Sequence, residues 1–168
     1  MDLIHIVDAA LAEAARKAGP WLVCRPGCAG CCIGSFEING LDADRLRTGL
    51  AALEARDSVR ASRVTARAKR FVELAEEEAD ETACPALDPE TQTCELYDSR
   101  PLTCRLFGPP VRGASGAIGL CELCFHGATE EQIADCEMTV DAEALETLEY
   151  DRDETTVAEA LARTIVAA

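Results

Sequence analysis

The sequence predicts a mainly α, small helical domain around a loop-rich, cysteine-dense centre, with room for a short hairpin. Three observations carry that expectation. Apolar residues recur at helical spacing near both ends of the chain and in its middle. Much of the apolar content is alanine, the strongest helix former. The ten cysteines fall in groups set among proline and glycine, where regular structure is interrupted. A length of 168 residues suits one domain, taken as residues 1–168.

The elements follow in order. Residues 2–18 form an amphipathic helix with Leu3, Ile4, Val7, Leu11 and Ala14 on one face, stopped by Gly19 and Pro20. Ser35 to Ile38 can make a short strand. Asp42 is placed to cap a helix presenting Leu46, Leu50 and Leu53. Asp57 or Ser58 starts another, expected to run to about Glu78. Residues 84–107 carry too many turn formers for a long helix, and residues 108–120 read as a turn or short hairpin. Gly108, Gly113, Gly116 and Gly119 lack the Lys-Ser/Thr that would complete a phosphate loop. Thr129 with Gln132, and Thr156 with Glu159, match the capping-box pattern. The last helix is expected to bury Val157, Leu161 and Ile165.

The formal net charge of −15 argues against general affinity for nucleic acid or an anionic membrane. No stretch approaches the roughly 20 apolar residues of a membrane span. The first residues lack the positive segment and continuous apolar run of a secretory signal. A cytoplasmic location is therefore expected, and there thiols stay reduced and clustered cysteines point to metal. An alanine-rich core buries little apolar area, so metal–thiolate bonds would supply folding free energy that the core lacks.

Charge is unevenly spread. Arg56, Arg60, Arg63, Arg67 and Arg70 follow one another at helical spacing and are expected on one exposed helix face. Such a stripe is usually a solvated face. It can meet an acidic protein partner, or the chain's own acidic C-terminal part, residues 128–168, which includes Glu143, Glu146 and Asp151.

The first cysteine group is Cys24, Cys28, Cys31 and Cys32, with Pro26, Gly27 and Gly30 allowing tight turns. Turns of this kind aim backbone N–H groups inward and stabilise negative metal–thiolate centres. The adjacent pair Cys31–Cys32 fits poorly around one small ion, so it can supply two centres, or one ligand and one packed thiol. The second group is Cys84, Cys94 and Cys104, and the third is Cys121, Cys124 and Cys136. Cys124 and Cys136 can be ligands or packed thiols. His126, close to Cys124, is a weaker candidate ligand, and His5 is assigned nothing. No Ser–His–Asp arrangement or carboxylate pair stands out, so no reaction is assigned.

The strings C-x3-C-x2-CC and CPxLD…C-x-x-Y-x-x-RPxxCRxF resemble the bacterial cysteine-cluster family called YkgJ-like, or CxxCxxCC, over about residues 24–121. The resemblance implies zinc or iron chelation, and family members are often labelled iron–sulfur proteins. It carries over Cys24, Cys28, Cys31, Cys32, Cys84, Cys94, Cys104 and Cys121 as ligands. It also carries over Tyr97, Arg100, Pro101, Arg105 and Phe107. Arg100 and Arg105 flank Cys104, where they can offset thiolate charge beside a cofactor, or pair with nearby carboxylates. Tyr97 and Phe107 are expected to pack over the site. The first spacing is x3 where the family name has x2. Some relatives in the wider family resemble flagellin lysine methylases, but those are longer, and no methyl-donor site is matched here. Eight thiols suffice for two four-thiolate sites, or for one four-thiolate cluster with spares. An iron–sulfur cluster is the expected cofactor, possible in electron transfer or methyl transfer; zinc, held structurally or for delivery, is the alternative. Either way, the helices between Cys32 and Cys84 must fold back so that the two groups meet.

Overall fold

The computed structural model describes residues 3–113, 116–139 and 154–163. Its helices are α1 (Leu3–Ala18), α2 (Gly40–Arg56), α3 (Ser58–Phe71), α4 (Glu76–Asp80), α5 (Leu102–Leu106), α6 (Glu130–Asp135) and α7 (Val157–Ala162). Four two-residue strands make two small pairs: β1 (Glu37–Ile38) with β4 (Thr155–Thr156), and β2 (Val111–Arg112) with β3 (Ile118–Gly119). The mainly α expectation holds, and among the described residues the named strands are confined to these pairs. The chain forms two units, each made from two separate stretches: Met1–Arg25 with Leu102–Tyr150, and Pro26–Pro101 with Asp151–Ala168.

In the first unit, α1 buries Val7 and Ala14 against Leu102 of α5 and against Met138. Arg16 and Lys17 in its last turn suit the negative end of the helix dipole. The helix stops at Gly19, which adopts φ +50, and a 3₁₀ turn through Trp21 follows. Residues 108–120 do form the hairpin, with Val111 opposite Gly119 and Arg112 opposite Ile118. Arg112 pairs with Glu137 through Nε and Oε1, 2.9 Å apart. The capping box of Thr129 and Gln132 is present in full and starts α6.

In the second unit, α2, α3 and α7 share one core in which Leu46, Leu53, Val64 and Leu161 are almost wholly buried. Each fully buried leucine contributes roughly 1.5–3 kcal/mol relative to an exposed one. Leu46, Leu50 and Leu53 occupy the buried face of α2 as their spacing predicts. The cap, however, is Asn39 and not Asp42: Asn39 Oδ1 accepts the backbone N–H of Asp42 at 2.8 Å. Asp42 instead lies in the first turn, where its carboxylate favours the helix dipole and pairs with Arg45.

Asp57 caps α3 as expected, accepting from Arg60 N–H at 3.0 Å. This helix ends at Phe71, well short of Glu78. Phe71 is buried and packs with Leu74 and Ala79, so the chain turns there and begins the separate α4. Val157 and Leu161 are buried in α7, again as predicted, while Ile165 lies outside the described residues. The strand at 37–38 pairs antiparallel with residues 155–156, which the sequence did not suggest. Arg56 closes α2 while the other four arginines of the stripe belong to α3, so Asp57 breaks the single-helix reading. No helix among the described residues is long and apolar enough to cross a membrane.

Candidate metal centre

The second unit holds Cys28, Cys31, Cys32, Cys84 and Cys94. A 3₁₀ turn at Gly30–Cys32 presents the adjacent cysteines, and Cys32 N–H donates to Ala29 O at 2.9 Å. The α2–α3 pair folds back as the sequence requires. Cys84 N–H donates to Cys32 O at 2.7 Å, and Ile33 bridges Ala83. The Cys84 and Cys94 loops are tied together in turn, by the Leu87–Cys94 bridge and by Glu95 N–H donating to Ala86 O at 2.8 Å.

These loops form two thiol-cradling knuckles. The backbone N–H groups of Ala86 and Leu87 favour the Cys84 thiolate, and that of Leu96 favours the Cys94 thiolate. Burial opposes them. It pushes the Cys84 thiol up to about 11, against the Ala86 and Leu87 amides and the Arg67 charge. Burial also raises Cys94, against the Leu96 amide and Arg100. Cys31 is held down to about 6, chiefly by a hydrogen bond from the Cys32 thiol. Cys32 is pushed up strongly, first by that same bond, then by burial and by the neighbouring Cys31, Cys84 and Cys94. Cys31, Cys32, Cys84 and Cys94 are therefore within electrostatic reach of one another.

The donor set fits a metal–thiolate centre in its chemistry: soft sulfur ligands, inward N–H donors and nearby cations. Among the described residues, however, no three Cys, His, Asp or Glu side chains are already set around a point an ion could occupy. The Cys31–Cys32 hydrogen bond would have to give way to metal–sulfur bonds.

Helix α3 supports the knuckles from behind. Glu95, next to Cys94, has a side chain only 3% exposed and takes Arg60 Nε on Oε1 at 3.0 Å. Its other oxygen pairs with Arg67, whose Nε donates to Pro85 O at 2.8 Å. Two of the five stripe arginines are thus turned onto the cysteine loops. The expected pairing with Glu143, Glu146 or Asp151 concerns residues outside the described set. Glu95 is the participant that sequence reasoning missed. Arg56, Arg63 and Arg70 are exposed.

The first unit holds Cys24, Cys104, Cys121, Cys124 and Cys136. Gly108 sits between two of them: Cys24 Sγ lies 3.3 Å from where a Cβ at Gly108 would be, and Gly108 O accepts from Cys121 N–H at 3.4 Å. Cys124 and Cys136 are buried in an apolar cluster with Ala18 and Phe125, the environment of packed thiols. His126 is exposed. Phe125 adopts φ +61, a left-handed conformation unusual for an aromatic residue. Its N–H donates to Trp21 O at 3.0 Å, which holds the turn.

The two arginines flanking Cys104 have different surroundings. Arg105 is buried and pairs with Asp8 of α1 at 2.6 Å. Arg100, in the second unit, lies over the Tyr97 ring at 3.7 Å and favours the thiolates of Cys31 and Cys94. Tyr97 and Phe107 are exposed: Tyr97 opens the 3₁₀ turn Tyr97–Ser99, and Phe107 follows the last residue of α5.

No curated protein and no solved structure matches the chain at a significant level. The family profile CxxCxxCC, described as a zinc- or iron-chelating domain, matches residues 23–132. That span is more than half the chain and takes in every cysteine discussed above except Cys136, so this metal-binding chain belongs to the CxxCxxCC family.

Proposed function

We propose that the chain holds an iron–sulfur cluster, with Cys31, Cys32, Cys84 and Cys94 as the thiols that grip it. The observation that carries this reading is the joining of their loops: Cys84 N–H donates to Cys32 O at 2.7 Å, and Leu87 bridges Cys94. An iron–sulfur cluster supplies one-electron chemistry when bound. It also presents several irons, so adjacent cysteines need not crowd onto one ion. The protein's part is to order the thiols, donate N–H groups to them and bring Arg67 and Arg100 close enough to offset their charge. In the first unit, Cys24, Cys104 and Cys121 are the further candidate ligands, while Cys124 and Cys136 act as packing.

The zinc reading keeps one specific observation in its favour. Knuckles of this kind also suit an all-cysteine zinc site, and the chain has only two histidines. Purification without oxygen separates the two. Brown protein containing iron and acid-labile sulfide supports the cluster; colourless protein containing zinc replaces that reading with a zinc module. The exposed Arg56, Arg63 and Arg70 are the surface an acidic protein partner would meet. A cytoplasmic setting, with its reduced thiols, suits either centre.

A further inference from the structure

We propose that Arg60, Arg67 and Glu95 form a positioning clamp that locks the Cys84 and Cys94 loops to α3 and sets how firmly their thiols retain metal. The inference rests on the four-thiol reading above and adds residues to it that bear no metal.

Glu95 is a carboxylate inside the protein. Such a group is costly unless both oxygens are satisfied. Here each oxygen takes one guanidinium, from Arg60 and from Arg67. Both arginines come from α3, seven residues apart and so two turns along one face. Their helix is fixed by Ala61, Val64 and Ala68, all buried in the core of this unit. Arg67 does more than neutralise charge. Its planar fork reaches Glu95, the residue after Cys94, and the carbonyl of Pro85, the residue after Cys84. One rigid side chain therefore fastens both cysteine loops at once. Lysine has no second directed donor with that geometry. Arg67 also brings positive charge to Cys84, which favours its thiolate.

Metal retention depends on such supporting contacts, whose loss typically costs about 10–100-fold in affinity. The test uses the full chain purified without oxygen, with its own metal, and a parallel sample loaded with cobalt(II) as a spectroscopic probe. Excess chelator is added and metal loss is timed; the thiolate-to-cobalt absorption band reports the donor set. Arg67→Met, Arg67→Lys and Glu95→Gln are compared with Ser62→Ala, an exposed change on the same helix. The clamp predicts loss about tenfold faster or more in the first three, with an altered cobalt band. It predicts little rescue by lysine and no change for Ser62→Ala. The double variant Arg67→Met/Glu95→Gln should lose metal no faster than the worse single one. Should Arg67→Met fail to fold by circular dichroism, Arg60→Lys and Glu95→Gln carry the same comparison. Release within twofold of the parent in the folded variants overturns the clamp. Cys84→Ser and Cys94→Ser separate the two levels. If they lose metal while the clamp variants keep it, the clamp alone is wrong. If they keep full metal, the four-thiol reading is wrong and the clamp falls with it.

Discussion

Gly108 shows how much one residue can carry. It holds φ +119, and Cys24 Sγ and Leu22 Cδ1 lie 3.3 and 3.4 Å from where its Cβ would be. Alanine there would be strained in backbone and crowded in side chain. Gly108→Ala should lower stability by roughly 1–3 kcal/mol, seen as an earlier urea midpoint. An unchanged midpoint would show that the turn relaxes freely. Gly49 is the counterpart in the second unit: a Cβ there would come within 2.5 Å of Ser99 Cβ, so α2 would be forced off the Tyr97–Ser99 turn. Gly49→Ala should cost roughly 1–3 kcal/mol by overpacking, measured the same way. Thiol groups were legible in the sequence at this scale, because spacing among turn formers is a local signal. Glu95 was not. Its arginines stand 35 and 28 residues away, and nothing local distinguishes a carboxylate that will be buried from one that will be solvated.

Among the elements, helices with strong apolar periodicity and paired caps were readable, and α1, α2 and α7 fall where the pattern places them. Misreadings came from competition between neighbouring caps and from tertiary contacts that overrode local pattern. Asn39 outcompeted Asp42 as a cap, and burial of Phe71 ended α3 early. β4 pairs with a strand more than a hundred residues away, which no window along the chain detects. The start of α7 offers a clean test. Glu159 N–H donates to Thr156 Oγ1 at 3.1 Å, and Thr156 N–H donates back to Glu159 Oε2 at 3.0 Å. Thr156→Ala should cost about 1 kcal/mol, measured by urea unfolding. The hydrogen bond from Thr155 chiefly holds the Glu159 carboxyl below its ordinary 4.5. A lowered value means stability that is present above 4.5 and lost as pH falls through the folded-state value. Glu159→Gln should therefore flatten the acid limb of the stability curve. If both proteins lose stability in parallel below that pH, the carboxylate is not contributing.

For the whole molecule, metal and fold are expected to be linked. The proposed ligands, Cys31 to Cys94, would close long loops, and binding to the folded form alone would stabilise it. Chelation should lower the unfolding temperature and release amide-exchange protection around Cys84 and Cys94 before it does so in α1. Equal thermal stability with and without metal would refute this linkage. The pairing of residues 37–38 with 155–156 has a further consequence during synthesis. A nascent chain emits Cys31, Cys32, Cys84 and Cys94 well before β4 and α7 exist. At roughly 5–20 residues per second, several seconds pass between Cys94 and Thr155. Throughout that interval α2 and α3 lack the helix that completes their core. The thiols meanwhile face oxidants and stray metal ions without a finished fold around them. On this chain, the window for capturing the wrong metal opens on the ribosome and closes only once α7 has left the exit tunnel.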